Sequence, residues 1–345
     1  MRILSLFSIL LVVLFVSCSG GGNQSKKSEI QTSVQSKTNS IQINDEAKKL
    51  LAYLEENGDY VKGRNFPSLI KTSEVYNELD SNNYIIDLRN PELFAKGHIK
   101  GAHRVKFTEL PDYFQKEINP SDYDKIVLVS YAGQISSYAT SLLRLMGYNN
   151  VYSMKWGMSS WDKNFAVNSW LDVVSDEYEN QLDSTNHTPA PEGDLPKMNT
   201  GKTTGKEIAQ ARFKKVFEDG VSVAMVSAEE VFEHPENYYV INYDRKDKYE
   251  SGHIPGAIRY RPHVTLGYVP EMQTIPADKK VVVYCNTGQN SGFVAAYLRL
   301  LGYDAKTLMY GNNSFMHHKM LEEKNTLSWV PFTSSEIDDY PYVKN

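Results

Sequence analysis

Cysteine is scarce in this 345-residue chain, which contains two, Cys18 and Cys285. At most one intramolecular disulfide can form, and a zinc site built from several cysteines is excluded. Basic charge is not in excess either, since 37 Lys and Arg stand against 42 Asp and Glu, for a net charge of −5. Nucleic-acid binders need a broad basic surface, so we expect no nucleic-acid partner.

Long apolar runs are also lacking, apart from one at residues 3–16. This run is shorter than the about 20 residues of a membrane-spanning helix and follows Arg2, as in a secretory signal peptide. Its end, Phe-Val-Ser-Cys, resembles a bacterial lipoprotein signal, which implies cleavage before Cys18 and a lipid on Cys18. We expect a membrane-anchored lipoprotein of the bacterial cell envelope, on the periplasmic or surface side. A plain secretory peptide and an uncleaved anchor are the alternatives.

An internal repeat organises the rest of the chain. Residues 97–102 (GHIKGA) and 252–257 (GHIPGA) match at an offset of 155, as do residues 143–148 (LRLMGY) and 298–303 (LRLLGY). No net gap accumulates between these matches. The chain therefore contains two copies of one domain.

Composition and repeat together predict the domain organisation. The acidic, proline-containing stretch between the copies is typical of an extended connector, and the polar stretch after Cys18 is typical of a flexible tether. The predicted segments are a signal peptide at 1–17, a lipidated tether at 18–43, a first domain at 44–168, a linker at 169–205 and a second domain at 206–335.

Short β-rich runs alternate with helical runs inside each copy. Residues 126–129 (IVLV) and 281–284 (VVVY) predict buried strands, each followed by a Gly-containing turn and an apolar helix at 136–146 or 291–301. This order of strand, turn, helix and strand favours parallel pairing with helices on both faces. We expect an α/β fold of two domains, each a mostly parallel sheet flanked by helices.

Cys285 lies between the second of these strands and a helix predicted to begin near Ser291. A loop over a helix N-terminus directs backbone N–H groups at its centre, where they stabilise an anion together with the helix dipole. We therefore expect the pKa of Cys285 to be lowered from the usual value of about 8.5. In this loop, Gly288 permits a tight backbone path and Ser291 is predicted to cap the helix.

The run at 87–89 (DLR), the GHI-x-GA motif and the spacing of 32 residues from its histidine to Ser130 or Cys285 resemble the rhodanese family. Over roughly residues 65–165 and 220–320, the chain resembles a tandem-rhodanese sulfurtransferase. The resemblance implies that Cys285 takes a sulfane sulfur from a donor such as thiosulfate, becomes a persulfide, and passes the sulfur to cyanide or a thiol. It implies neither a cofactor nor a metal.

The same resemblance implies the substrate-binding residues, which are Asn286, Thr287, Gly288, Gln289, Asn290 and Ser291 of the loop. Cations are scarce around this loop, because Asn242 and Asp244 replace the Asp87 and Arg89 of the first copy. Arg245 is the remaining candidate for binding a dianionic donor. Sulfur transfer is therefore better supported than thiosulfate as the donor.

The first copy has Ser130 at the position of Cys285. A hydroxyl cannot carry sulfur through a persulfide, and the loop offers no histidine beside Ser130 to activate it. We therefore expect the first copy to be catalytically silent.

Two other functions stay open. A degenerate binding or scaffold module is suggested by Ser130, Asn242 and Asn290. A phosphatase or arsenate reductase would use Cys285 on an oxyanion, but the loop lacks the arginine that this chemistry needs. His98 and His253 recur in both copies, so we expect them to have a structural role rather than a catalytic one.

Overall fold

The computed structural model describes residues 45–58, 60–267 and 269–344. The expected signal peptide, the lipidation site Cys18 and the tether lie outside these residues. Within the described ranges, no helix has the length and apolar character needed to cross a bilayer.

Each copy contains one five-stranded sheet. The strands are β1 (Leu69–Ile70), β2 (Asn83–Asp87), β3 (His103–Arg104), β4 (Lys125–Val129) and β5 (Val151–Met154) in the first copy, and β6 (Met225–Val226), β7 (Tyr238–Asn242), β8 (Ile258–Arg259), β9 (Lys280–Tyr284) and β10 (Asp304–Leu308) in the second. Their orders are β1-β5-β4-β2-β3 and β6-β10-β9-β7-β8, and the paired strands are parallel. The predicted α/β fold with two parallel sheets is confirmed.

Helices surround both sheets. In the first half of the chain they are α1 (Asp45–Glu56), α2 (Thr72–Asn77), α3 (Pro91–Lys96), α4 (Leu110–Asp112), α5 (Gln134–Leu145), α6 (Met158–Trp161), α7 (Lys163–Ala166) and α8 (Trp170–Val173). In the second half they are α9 (Gly205–Asp219), α10 (Ala228–Glu233), α11 (Lys246–Ser251), α12 (Val269–Gln273), α13 (Gln289–Leu300), α14 (His317–Glu322) and α15 (Lys324–Leu327).

The helices α5 and α13 begin two residues earlier than the sequence indicates. The residues before them, Gly133 and Gly288, have φ of 85° and 72°, a left-handed conformation that favours glycine and ends the preceding loop. Ser291 consequently lies in the first turn of α13, so the prediction that it caps the helix is wrong.

The two copies pack against each other through α5 and α13. The hydroxyl of Ser141 on α5 donates a 2.8 Å hydrogen bond to the carbonyl of Phe293 on α13. Buried side chains of both copies, including Tyr138 and Phe293, belong to one continuous apolar cluster. The copies therefore share a core, and neither buries its apolar surface alone.

Each copy is crossed by the segment that follows the other one. Asp183 of the linker forms an antiparallel bridge with His253 of the second copy, and Val343 near the carboxyl terminus forms the same bridge with His98 of the first. Tyr340 also stacks on Tyr76 of the first copy, with ring centroids 3.9 Å apart. Residues beyond 335, where the predicted second domain ended, therefore contact the first copy.

Candidate active site in the second copy

Cys285 follows β9 directly and precedes α13, at the carboxyl end of a central strand. Its side chain is buried, with 2% of the residue exposed. The backbone N–H of Ser291 donates a 3.3 Å hydrogen bond to Sγ, and Sγ lies 3.6 Å from the hydroxyl oxygen of Ser291. The first turn of α13 thus donates an N–H to the sulfur, and its Ser291 hydroxyl oxygen accepts from the thiol; a thiolate or persulfide in this position would accept from both groups.

The turn after β10 packs directly against this loop. The N–H of Asn312 donates a 3.0 Å hydrogen bond to the carbonyl of Cys285. Gly311, with φ of 55°, lies so close that a Cβ there would overlap the same carbonyl oxygen. A residue without a side chain is needed here both for the backbone conformation and for the close approach.

The pKa of Cys285 differs from the sequence-based expectation. Burial raises it and the neighbouring Asp244 raises it further, whereas the backbone N–H of Thr287 and the hydrogen bonds from Ser291 lower it. Removal from water disfavours the charged sulfur more than these donors favour it. The predicted lowering of this pKa is therefore wrong, and the resting side chain is a thiol at neutral pH.

A buried polar cluster adjoins the cysteine. Asn286 donates a 2.6 Å hydrogen bond from Nδ2 to Asp244 and accepts one of 3.2 Å at Oδ1 from Nζ of Lys248. Asn312 donates a weaker one, of 3.4 Å, to the other oxygen of Asp244. Asn286 therefore bridges an acid and a base directly beside Cys285.

Burial shifts both charged groups of the cluster towards neutrality. It raises the pKa of Asp244 to about 7, against an opposing effect of Lys248. It lowers the pKa of Lys248, against opposing effects of Asp244 and Cys285. Near neutral pH, the protonation of Asp244 is consequently sensitive to any anion that enters the site.

The hydrogen bonds of Thr287, Gly288 and Gln289 described next join the loop to the first copy or to β10 rather than to Sγ. Gln289 is fully buried and accepts a 2.9 Å hydrogen bond from the N–H of Trp156 at Oε1. The carbonyl of Thr287 accepts one of 3.3 Å from Gln134. Asn290 is half-buried, and the carbonyl of Gly288 accepts a hydrogen bond from Thr307. The backbone of the loop thus faces Sγ, while its side chains fix the loop in place.

Arg245, the cation that the sequence suggests for donor binding, pairs with Asp247 in this structure. Its guanidinium forms an exposed ion pair with Asp247, which raises the pKa of Arg245. Lys248, in the first turn of α11, is the cation that contacts the cysteine loop. The sequence analysis missed Lys248, although its location in the first turn after the Asp244 loop is a usable signal.

The chain's carboxyl-terminal segment packs beside the loop. The indole of Trp329 lies 5.0 Å from Nζ of Lys248. Asn313 donates from Nδ2 to the carbonyls of Asn286 and Val330, and its Oδ1 accepts a 2.7 Å hydrogen bond from the N–H of Phe332. No local sequence pattern links these residues to Cys285, because they meet only through folding.

The first copy has the same cradle around an oxygen. The N–H groups of Gly133 and Ser136 donate to Oγ of Ser130 at 3.1 and 3.2 Å. Arg89 there forms a buried ion pair with Asp87 at 2.6 Å and donates to the carbonyl of Gly97. Asp87 and Gly97 of the first copy thus hold the guanidinium of Arg89. These first-copy residues form no equivalent of the cluster around Asp244.

Comparison with known proteins gives consistent results. The family model described as the rhodanese-like domain matches residues 71–164 and 227–318. A thiosulfate sulfurtransferase GlpE of Stutzerimonas stutzeri is 34% identical over 94 residues, which are 27% of this chain and 79% of that protein. The enzyme of the same name from Ectopseudomonas mendocina is 36% identical over 90 residues, which are 26% of this chain and 79% of that protein.

A solved structure is also similar to this chain. It is SseA from Escherichia coli, described with the 3-mercaptopyruvate sulfotransferases, at 15% identity and a TM-score of 0.26 over 70% of this chain and 97% of that chain.

Proposed function

Because the chain belongs to the rhodanese-like family, in two tandem copies, we propose that it is a sulfurtransferase in which Cys285 carries the sulfur as a persulfide. The observation that supports this proposal most directly is the contact of the Ser291 N–H with Sγ, at 3.3 Å. The same donor, with the N–H of Thr287, is available to the terminal sulfur of a persulfide.

The reaction with an anionic donor balances without a cofactor. Cys285 loses its proton, the thiolate attacks the outer sulfur of thiosulfate, the S–S bond of the donor breaks, and a new S–S bond forms on Sγ. The thiol proton leaves with the product as hydrogensulfite. In the second half, cyanide attacks the terminal sulfur, thiocyanate leaves, and Sγ regains a proton from water. A thiol acceptor would leave as a persulfide in the same way.

Lys248 is the cation we propose for donor binding. It contacts Asn286 of the loop, and its ammonium interacts favourably with the charge of Cys285. Lys248 thus supplies the cation at this site, whereas Arg89 of the first copy is already paired with Asp87. An anionic donor beside Lys248 also favours protonation of Asp244, which removes a negative charge from the neighbourhood of Sγ.

Intact-mass spectrometry of the full chain tests this function. The purified protein, held in detergent, is incubated with thiosulfate or with another sulfane donor, and we expect it to gain the mass of one sulfur atom. Subsequent cyanide should remove that mass and release thiocyanate. Cys285→Ser should abolish the gain, whereas Ser130→Ala should retain it. A wild-type chain that stays unlabelled by every donor would contradict the proposal and leave a rhodanese-like binding module.

A further inference from the structure

A second cluster of reactive side chains lies where the linker meets the second copy. Asp183 and His253 exchange two backbone hydrogen bonds, of 2.9 and 2.8 Å, which fix their positions. The carboxylate of Asp183 lies 2.6 Å from Nε2 of His187 and 3.9 Å from Nε2 of His253. All three ligand atoms lie within 4.8 Å of one another.

His253 holds a nitrogen that the fold leaves unpaired. The residue is fully buried, and its Nδ1–H donates a 2.7 Å hydrogen bond to the carbonyl of Tyr249. Nε2 therefore carries the lone pair of the neutral ring, and among the described residues it makes no hydrogen bond of normal length and angle, although the backbone of Thr185 lies near the ring. A buried polar atom is normally satisfied by a partner. The lone pair of Nε2 is therefore available to bind a cation.

The tautomer of His253 is the one that metal ligands adopt. A backbone carbonyl that accepts from Nδ1 orients the ring and makes Nε2 more basic towards a metal.

The first copy shows that the motif alone does not need this cluster. His98 occupies the same turn and contacts the carbonyl of Phe94 through Nδ1, at 2.9 Å. Its antiparallel bridge partner is Val343, which has an apolar side chain in place of the carboxylate of Asp183. Among these residues, a carboxylate and a second imidazole therefore lie beside His253 but not beside His98.

We propose that Asp183, His187 and His253 bind a divalent transition-metal cation of the Zn²⁺ class and thereby clamp the linker onto the second copy. Two imidazole nitrogens and one carboxylate oxygen form a donor set that Zn²⁺ accepts, with a fourth position left for water. Ligation displaces the proton that His187 and Asp183 share, and this proton leaves to solvent. The side chains of His187 and Asp183 are 33% and 24% exposed, which gives the ion a path to His253.

This site differs from the sequence-based expectation of no metal. Asp183 and His187 lie in the linker, and His253 belongs to a motif with a structural role in both copies. The proposal is independent of sulfur transfer, since it uses neither Cys285 nor its loop.

Zinc binding by the full chain tests the clamp. The chain carries Cys18→Ser and Cys285→Ser, so that no thiol competes for the metal, and is dialysed against ZnCl₂ before elemental analysis. We expect one zinc per chain, and at least a ~10-fold loss of affinity in His187→Ala and in Asp183→Asn. Co²⁺ should give the visible absorption of a low-coordinate nitrogen and oxygen site in the parent and not in these two variants.

The matched control is His318→Ala, which removes another exposed histidine that lies near carboxylates, those of Glu179 and Glu322. This variant should keep its zinc, and circular dichroism should show that all the variants are folded. Zinc should raise the thermal unfolding midpoint of the parent and of His318→Ala only. A parent that binds no zinc, or zinc that persists in folded His187→Ala and Asp183→Asn, overturns the proposal.

Discussion

The carboxylate of Asp244 accepts a 2.6 Å hydrogen bond from Nδ2 of Asn286, the residue that directly follows Cys285. This contact holds a buried acid beside the proposed sulfur carrier. In the first copy, the equivalent position is held by Arg89. The second copy has therefore reversed the charge at this position, and the reactivity of Cys285 depends on how that acid is protonated and paired.

Asp244→Asn should make Cys285 react at lower pH. The Asp244 carboxylate raises the pKa of the thiol, so its removal favours the thiolate. We expect the midpoint of the iodoacetamide rate against pH to move downwards. Asp247→Asn removes a nearby exposed carboxylate and should leave the midpoint in place. An equal shift in both variants would contradict a specific effect of Asp244.

Asp244→Asn should also make the free energy of unfolding less dependent on pH. The pKa of Asp244 in the folded protein, about 7, exceeds its ordinary value of 3.8, so the folded state holds the proton more tightly. This stabilisation is fully present below about pH 4 and is lost as the pH rises through about 7. Urea unfolding at about pH 5 and pH 8 should show a decline in the wild type that Asp244→Asn reduces. An undiminished decline in Asp244→Asn would assign it to other groups.

Lys248→Met should weaken the use of anionic donors. It removes the cation that contacts Asn286 and keeps most of the apolar stem beside Trp329. We expect the KM for thiosulfate to rise by about 10-fold, and the alkylation midpoint of Cys285 to move upwards. Lys246→Met, which breaks an exposed pair with Glu250, is the matched control and should change neither. Unchanged kinetics in Lys248→Met would place donor binding elsewhere.

Gly311→Ala should disrupt the cysteine loop. A methyl group there overlaps the carbonyl oxygen of Cys285 and is also strained by φ of 55°. We expect a loss of about 3 kcal/mol or more in the free energy of unfolding. Gly256→Ala separates the two causes, because Gly256 has φ of 74° but open space around its Cβ position. It should cost about 1 to 2 kcal/mol, from backbone strain alone. Equal losses in the two variants would contradict this prediction, because they would show that the loop moves to relieve the overlap between the new methyl group and the Cys285 carbonyl oxygen.

Attachment of a lipid to Cys18 is tested separately, because this residue lies outside the described part of the chain. We propose that the wild-type chain, expressed in a bacterium fed with labelled palmitate, takes up the label and fractionates with membranes. Cys18→Ser should lose the label, whereas Cys285→Ser should keep it. Soluble, unlabelled wild-type protein would instead favour a plain secretory signal.

Much of the architecture follows from local patterns. The run at 281–284 is apolar at every position, so it forms the central strand β9, and its counterpart at 126–129 forms β4. The repeated motifs place both loops after these strands, which is how Cys285 and Ser130 could be identified as equivalent. The helices α5 and α13 begin earlier than the sequence indicates because a glycine with positive φ ends each preceding loop. The sequence shows that a glycine is present but not which φ it adopts.

The sequence by itself thus determined the two-copy fold and the equivalence of Cys285 with Ser130, because these depend on short-range periodicity and on residue type. Only the tertiary structure decided the raised pKa of Cys285, the pairing of Lys248 with its loop and the meeting of Asp183 with His253. Desolvation and Coulomb interactions depend on which distant segments come within a few ångströms, and folding alone brings those segments together.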